Sequence, residues 1–424
     1  MTGSKDRDII RPLAERWMEL AHLPVMAERK RLWKAVHDLR AERPVILVET
    51  CMMIDEYTPL ADLQCADPFL RNVERTMRTT VRHAEEIGDD VVVEPYFRLG
   101  WEIDVSDYGV SLGEYHATDG SGREVGYSFA FPIATPGDVA KLRTRTKTVK
   151  RDETLRLKAV LEEVMGDVLP VRVGNVDPFY VEAGYRPFTG IGFVGLTMDL
   201  FKLIGNDNLL FWVYDEPETI HKLMAFLRDD RIEYFRWLEG EGLLDVNTDN
   251  QMAGPCSYGY IEGLPGLSHT GAVHLKDQWG WAESQETTMI SPAMFEEFFL
   301  PYIAEVASLF GVAYYGCCER VDDRWEPIRK AIPHLRSVSV SGWNDFERMG
   351  ELLGRDYVYS RKPTPAYISG ASPDWDLVRE DVMKTKQAAE NCNLEILFRD
   401  IYTIDHDRPR LSKWVEMTKG IFGM

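Results

Sequence analysis

Apolar and polar positions along the chain set a rhythm before any single residue stands out. Ile9, Leu13, Trp17 and Leu20 recur at near-helical spacing with charges between them, so residues 5–42 read as helical and form an N-terminal helical preamble over 1–42. Short apolar, largely β-branched runs then alternate with helical patterns, at 45–48, 91–93, 169–173, 243–246, 312–315, 337–340, 357–359 and 394–398. Most are continuous and do not alternate apolar with polar, as expected of parallel strands covered on both faces. Repeated strand-then-helix units, about eight of them, predict an α/β chain folded as a (β/α)8 TIM-type barrel, with 272–275 competing for one place. Two stretches break the rhythm, 95–135 and 247–290, both rich in glycine and aromatic residues. The first is expected to hold hairpins or a long βα loop and the second a long, poorly helical loop, and long ordered loops in barrels commonly sit over the active site. No internal repeat or linker interrupts the pattern, so residues 1–424 are expected to form one domain.

Composition narrows the choice of partners. A chain of 424 residues that is 45% hydrophobic and 28% charged can bury a large core and is not disordered. Lys plus Arg number 49 against 69 Asp plus Glu, and the net charge of −20 repels polyanions, so neither nucleic acid nor membrane is an expected partner. The first residues lack an apolar signal core and no later run approaches membrane-spanning length, which predicts a cytoplasmic protein. Six cysteines in so long a chain are too few for a disulfide framework, so reduced thiols are expected. A homo-oligomer is compatible with all of this.

In a barrel of parallel strands, catalytic groups sit where strands end and βα loops begin. That rule selects Glu94, Asn175 with Asp177, Asn247 with Asp249, the run Tyr315-Gly316-Cys317-Cys318-Glu319, Trp343 with Asp345, Arg361 with Lys362, and Arg399 with Asp400. Cys317, Cys318 and Glu319 could bind zinc or supply a nucleophile from Cys318, and the plain alternative is a cysteine that only packs. Arg361 and Lys362 suit a substrate carboxylate, or a lysine of lowered pKa, and an exposed basic turn is the other reading. Trp281, Gln285 and Tyr315 are candidate pocket residues, with Glu283 and Asp400 as acids or bases beside them. Asn247 and Glu94 complete the candidate substrate contacts. His274, alone on an apolar stretch, reads as structural. No Gly-x-Gly-x-x-Gly, P-loop or Gly-x-Ser-x-Gly run is present, which turns the reading away from nucleotide-dependent enzymes and serine hydrolases.

Trp281-Ala282-Glu283-Ser284-Gln285, followed by Ser291-Pro292-Ala293-Met294-Phe295-Glu296-Glu297-Phe298-Phe299-Leu300-Pro301-Tyr302, resembles the uroporphyrinogen decarboxylase superfamily. There a Ser-Pro-x-x-Phe-x-x-Phe-x-x-Pro-Tyr run opens a barrel helix after an active-site loop. Ser291 as N-cap and Pro292 at the first helical position give the pattern its physical sense. The decarboxylases themselves carry an arginine-rich N-terminal run that binds substrate carboxylates. This chain has Val48-Glu49-Thr50-Cys51-Met52-Met53-Ile54-Asp55-Glu56 in that region, which would repel a polycarboxylate tetrapyrrole.

The resemblance is therefore to the corrinoid-linked methyltransferase branch, the methylcobamide methyltransferase-like proteins. It implies methyl transfer between a small methylated substrate and cobalt, the cobalamin being carried by a corrinoid protein partner. Members acting on coenzyme M hold zinc with a His-x-Cys pair and a distant Cys. Here Tyr315-Gly316-Cys317-Cys318 falls where His-x-Cys is expected and Lys362 near the distant Cys, so the zinc set departs from the pattern. A metal site using Cys317, Cys318 and Glu319 and a metal-free site with Glu283 or Asp400 as acid are both open. The rival readings are a decarboxylase of a small organic acid and a non-catalytic ligand-binding barrel.

Overall fold

A computed structural model describes residues 4–118, 120, 124–175 and 192–424; the candidate Asp177 lies outside them. The fold is mixed α/β. Eight parallel-paired strands can be numbered in chain order: β1 (Val45–Val48), β2 (Phe97–Gly100), β3 (Val171–Gly174), β4 (Trp279–Ala282), β5 (Val312–Tyr315), β6 (Leu335–Val340), β7 (Val358–Arg361) and β8 (Asn393–Phe398). Among the described residues β1-β8-β7-β6-β5-β4 make one six-stranded parallel sheet, and β2 pairs with β3 separately, also in parallel. Helices follow the strands, among them Pro292–Phe298 after β4, Trp325–Ala331 after β5, Phe346–Leu353 after β6, Trp375–Ala388 after β7 and Pro409–Phe422 after β8.

Alternation along each strand sorts its side chains between two faces. Ile46, Val48, Val338, Val340, Ile396 and Phe398 join the largest apolar cluster. Val45, Leu47, Val358 and Leu397 belong to another, with Leu32, Trp33 and Val36 of the helix Pro24–His37. The preamble is two helices and not one: Ser4–Ala21 ends before Pro24, which cannot donate its amide and opens the second at its first residue.

Two expected strands are not strands, and side chains explain both. Residues 91–93 are buried but carry no ladder; Asp90 Oδ2 accepts from Ile46 N (2.9 Å) and Asp89 Oδ2 from Val48 N (2.8 Å), occupying the amides of β1 that a neighbour would use. The strand forms instead at Phe97–Gly100, beyond Pro95. Residues 243–246 are likewise without a ladder. Asn175 Oδ1 accepts from Asp245 N (3.0 Å), and Asn247 brackets Trp279, accepting from its N (2.9 Å) and donating to its O (3.0 Å). Side-chain amides here do the work of strand hydrogen bonds. On the free edge of β4, Val194 N donates to Trp281 O (2.8 Å) and Phe193 bridges Trp281 in parallel.

The first glycine-rich stretch contains a hairpin, as expected, Glu114–Thr118 with Glu124–Phe129; the second, expected as a long loop, also holds a short one, Met252–Gly254 with Ser257–Tyr258. Residues 272–275 supply no strand; a short 3-10 turn, Leu275–Asp277, leads into β4. No helix among the described residues is long and apolar enough to cross a membrane.

Candidate active site

Strands β1, β4, β5, β7 and β8 end at a common rim, because the sheet that contains them is parallel throughout. After β5 the chain turns sharply at Gly316 (φ 98°), where a Cβ would meet that of Ser339 at 3.0 Å. The turn delivers both thiols into the rim. Cys317 Sγ lies 3.6 Å from Cys318 Sγ, and Cys318 Sγ lies 3.9 Å from Asp400 Oδ2, after β8. Asp400 itself takes a left-handed backbone (φ 59°), which aspartate tolerates better than most residues. Arg399 reaches Cys317 Sγ (Nη1, 3.7 Å), Asp400 (Nη2, 3.2 Å) and Glu49 at the end of β1 (Nε, 3.6 Å).

Charge is unevenly placed in this cluster. The hydrogen bond between the two thiols favours ionisation of Cys318, lowering its pKa, and disfavours that of Cys317, whose pKa is pushed well above the ordinary value; burial and Asp400 work against Cys318 ionising, and Arg399 helps it. Of the pair, Cys318 is the one whose ionisation is favoured. Two buried carboxyls, Glu283 and Glu319, lie near it, and the half-buried Glu286 lies near Glu283. Burial first, and then their mutual repulsion, raises Glu283 well above the usual carboxylate range. Its Oε2 accepts from Gln285 N (2.9 Å), whereas Oε1 is buried with no hydrogen-bond partner among the described residues. Glu283 is the neutral acid of the site.

Lys362, after β7, donates to Tyr314 Oη (2.8 Å) and Ser360 Oγ (2.6 Å). Burial lowers its pKa from 10.5 to about 8 against the attraction of Glu395. Between about pH 8 and 10.5 the unfolded chain therefore binds more protons at this position than the folded one, so stability should rise with pH across that window. Lys362→Met should remove this rise, a difference of roughly 3 kcal/mol across the window, measured as urea-unfolding free energies of both proteins at its two ends.

The remaining expected site residues divide. Trp281 joins the cluster: its Nε1 donates to Gly316 O (3.0 Å), and it packs with Phe193, Tyr314 and Cys317. Tyr315 is fully buried against Ser284 Oγ (2.7 Å), and Gln285 contacts Glu286 (3.2 Å); both brace the loop after β4. Arg361 does not join Lys362. The two alternate across β7, and the Arg361 guanidinium lies on the helix side, over the Phe346 ring (4.0 Å) and bonded to Asp381 (2.5 Å). Glu94 is taken up by Lys30 (2.6 Å) and Tyr260 (2.5 Å), and Asn247 by Trp279, so both hold elements together.

Glu319 was expected beside the thiols as a metal ligand. Its Oε1 instead accepts from Ser284 N (2.9 Å) and its Oε2 from Cys317 N (2.8 Å), while Arg399 holds a positive charge against Cys317. Among the described residues no three His, Cys, Asp or Glu side chains gather as a metal ion needs. The set Cys317, Cys318 and Glu319 as folded does not fit zinc.

Glu49 and Cys256 were not foreseen. Glu49 ends β1 as Asp400 ends β8, so the strand-end rule that selected Asp400 could have selected it. Cys256 comes from the hairpin in the loop before β4 and has no such signal; burial raises its thiol well above the ordinary value.

No family model matches this chain, and no curated protein matches it. Among solved structures, a methyltransferase from Methanosarcina mazei aligns with a TM-score of 0.47 at 12% identity, over 92% of this chain and 98% of that one.

Proposed function

We propose that the chain is a methyltransferase that moves a methyl group between a small methylated substrate and the cobalt of a cobalamin carried by a partner corrinoid protein. The observation that carries this reading is one rim that brings together Cys318, in contact with Cys317 and Asp400, and the buried Glu283 carboxyl, its Oε1 unpaired among the described residues, in a chain whose sequence resembles that branch. The resembling motif folds as its chemistry predicts, with Ser291 capping the helix through Met294 N (3.3 Å) and Pro292 at its first position. We read the fold as one (β/α)8 barrel in which 91–93 and 243–247 stand where strands would close it, their ladders replaced by Asp89, Asp90, Asn175 and Asn247.

The corrinoid supplies the metal that gives or takes the methyl. On the chain, Glu283 holds the proton that the demethylated heteroatom takes up, and Arg399, Cys317 and Asp400 fix the charge and position of Cys318. The partner's landing surface is the rim itself. Met52, Met289, Trp343 and Tyr402 are exposed large apolar residues, and they follow the ends of β1, β4, β6 and β8. A decarboxylase is less well served, because Arg361 faces the helices and Lys362 is already bonded to Tyr314 and Ser360.

The test is to mix the purified chain with free methylcobalamin or cob(I)alamin and methylated ethers, amines and thiols, and to follow the cobalt absorbance. Conversion that depends on the protein is expected, and no change with any of them sinks the proposal. Cys318→Ala should fall to background. Cys317→Ala removes the hydrogen bond that favours the Cys318 thiolate, so its rising pH limb should move to higher pH.

A further inference from the structure

Beside β1, against the helix Pro68–Glu86, lies a cavity of about 130 Å³. An apolar cavity of about 150 Å³ holds benzene, so this one suits a single ring or a chain of similar bulk. Leu47, Val92 and Met252 give it apolar walls. Its polar side chains are mostly committed elsewhere: His83 to Asp89 (2.8 Å), Thr79 to Thr58 (2.9 Å), Thr76 to Asn72 O (3.2 Å) and Asn250 to Val92 O (3.1 Å).

Glu49 differs. It is 8% exposed; its Oε2 is engaged by Arg399 (3.6 Å) and Asp400 N (3.5 Å), and the Cys51 thiol, also in the cavity wall, hydrogen-bonds the same carboxyl. Its Oε1 is buried, and it alone among the buried polar side-chain atoms lining the cavity has no hydrogen-bond partner among the described residues. An unpaired buried oxygen costs folding free energy unless a ligand or water completes it. Burial raises the Glu49 carboxyl above its ordinary range, against the pull of Arg399.

We infer that this cavity binds an uncharged, mainly apolar molecule of about one ring's size, carrying a single hydrogen-bonding group that meets Glu49 Oε1. Asp400 joins the two regions, its amide facing Glu49 and its carboxylate Cys318, so a molecule held here is next to the rim cluster. The inference rests on the methyl-transfer reading only in calling that molecule the substrate. A cation would face Arg75 in the cavity wall, and an anion would face the Glu49 carboxyl in a chain of net charge −20.

Calorimetric titration of the full chain with phenol, benzene, benzoate and benzylammonium tests it. Phenol should saturate at one per chain, benzene should bind about tenfold more weakly, and the two ions should not bind. Glu49→Leu should bring phenol down to the level of benzene, a loss of about tenfold. Thr80→Phe, on the partly exposed helix wall of the cavity, should abolish both, and it decides the matter if Glu49→Leu does not fold. The inference is overturned if phenol fails to saturate, if benzoate matches it, or if Thr80→Phe leaves binding unchanged. Phenol binding without cobalt-linked turnover of any substrate would sink the methyl-transfer reading and leave the cavity's role standing; turnover without ring-sized binding would do the reverse.

Discussion

Glu283→Gln should lower cobalt-linked methyl transfer by about 10²- to 10⁴-fold, the range expected when a positioned acid is lost. Glutamine keeps the shape of the side chain and its contact with the Gln285 amide but has no proton to give. In the wild-type protein the rate should decline as pH rises through the raised pKa of Glu283, because the acid then ionises. The variant should lack that declining limb. Stability should move the other way. Between the ordinary carboxylate range and the raised value, the folded state keeps a proton that the unfolded chain has lost, so wild-type stability falls with pH there. The variant carries no such penalty among Glu286 and Glu319, and its unfolding free energy should gain on the wild type's as pH rises. A variant that is slower and more stable separates an acid from a scaffold residue; full activity in Glu283→Gln would remove the acid from the mechanism.

Continuous apolar runs at 45–48, 312–315, 337–340 and 394–398 were legible as strands because burial on both faces leaves no polar side to mark. The runs at 91–93 and 243–246 look the same in sequence and yet form no ladder, since the aspartates and asparagines beside them compete for the backbone. Trp279–Ala282 is a strand that the sequence does not announce, because its glycine, packed against Phe310, and its two tryptophans hide the pattern. The rim was legible from strand ends, which is how Cys318, Asp400 and Lys362 were found. Which neighbour faces inward was not, because two adjacent residues such as Arg361 and Lys362 go to opposite sides and only the register settles which. Glu49 escaped for a different reason: its run was weighed as a missing arginine segment and not as the end of β1.

Asp245→Ala should destabilise the protein by about 3–5 kcal/mol, as removal of one partner from a buried ion pair does. Asp245 is buried and binds two arginines at once: its Oδ2 accepts from Arg98 Nη1 (2.7 Å) and Arg172 Nε (2.6 Å), and its Oδ1 from Arg172 Nη2 and from Val246 N (2.9 Å). Arg98 keeps Asp249 in the variant and Arg172 is partly exposed, which places the expected loss near 3 kcal/mol. Burial tends to raise the Asp245 pKa, but the hydrogen bonds of Arg172 and the charge of Arg98 outweigh it and leave it lowered. Its stabilisation is therefore present above the ordinary carboxylate pKa and is lost as pH falls through the lowered one. The gap between wild type and variant in chemical unfolding should close on acidification. The site also predicts a coupling. A Cβ at Gly174 would meet Asp245 Cβ and Oδ2 at 2.6 Å, so Gly174→Ala should be damaging in the wild type. It should be milder in Asp245→Ala, where the carboxylate is gone, though the alanine Cβ remains. Strict additivity of the two would show that β3 is not held by this carboxylate, and that the side-chain closure beside it does not brace the rim.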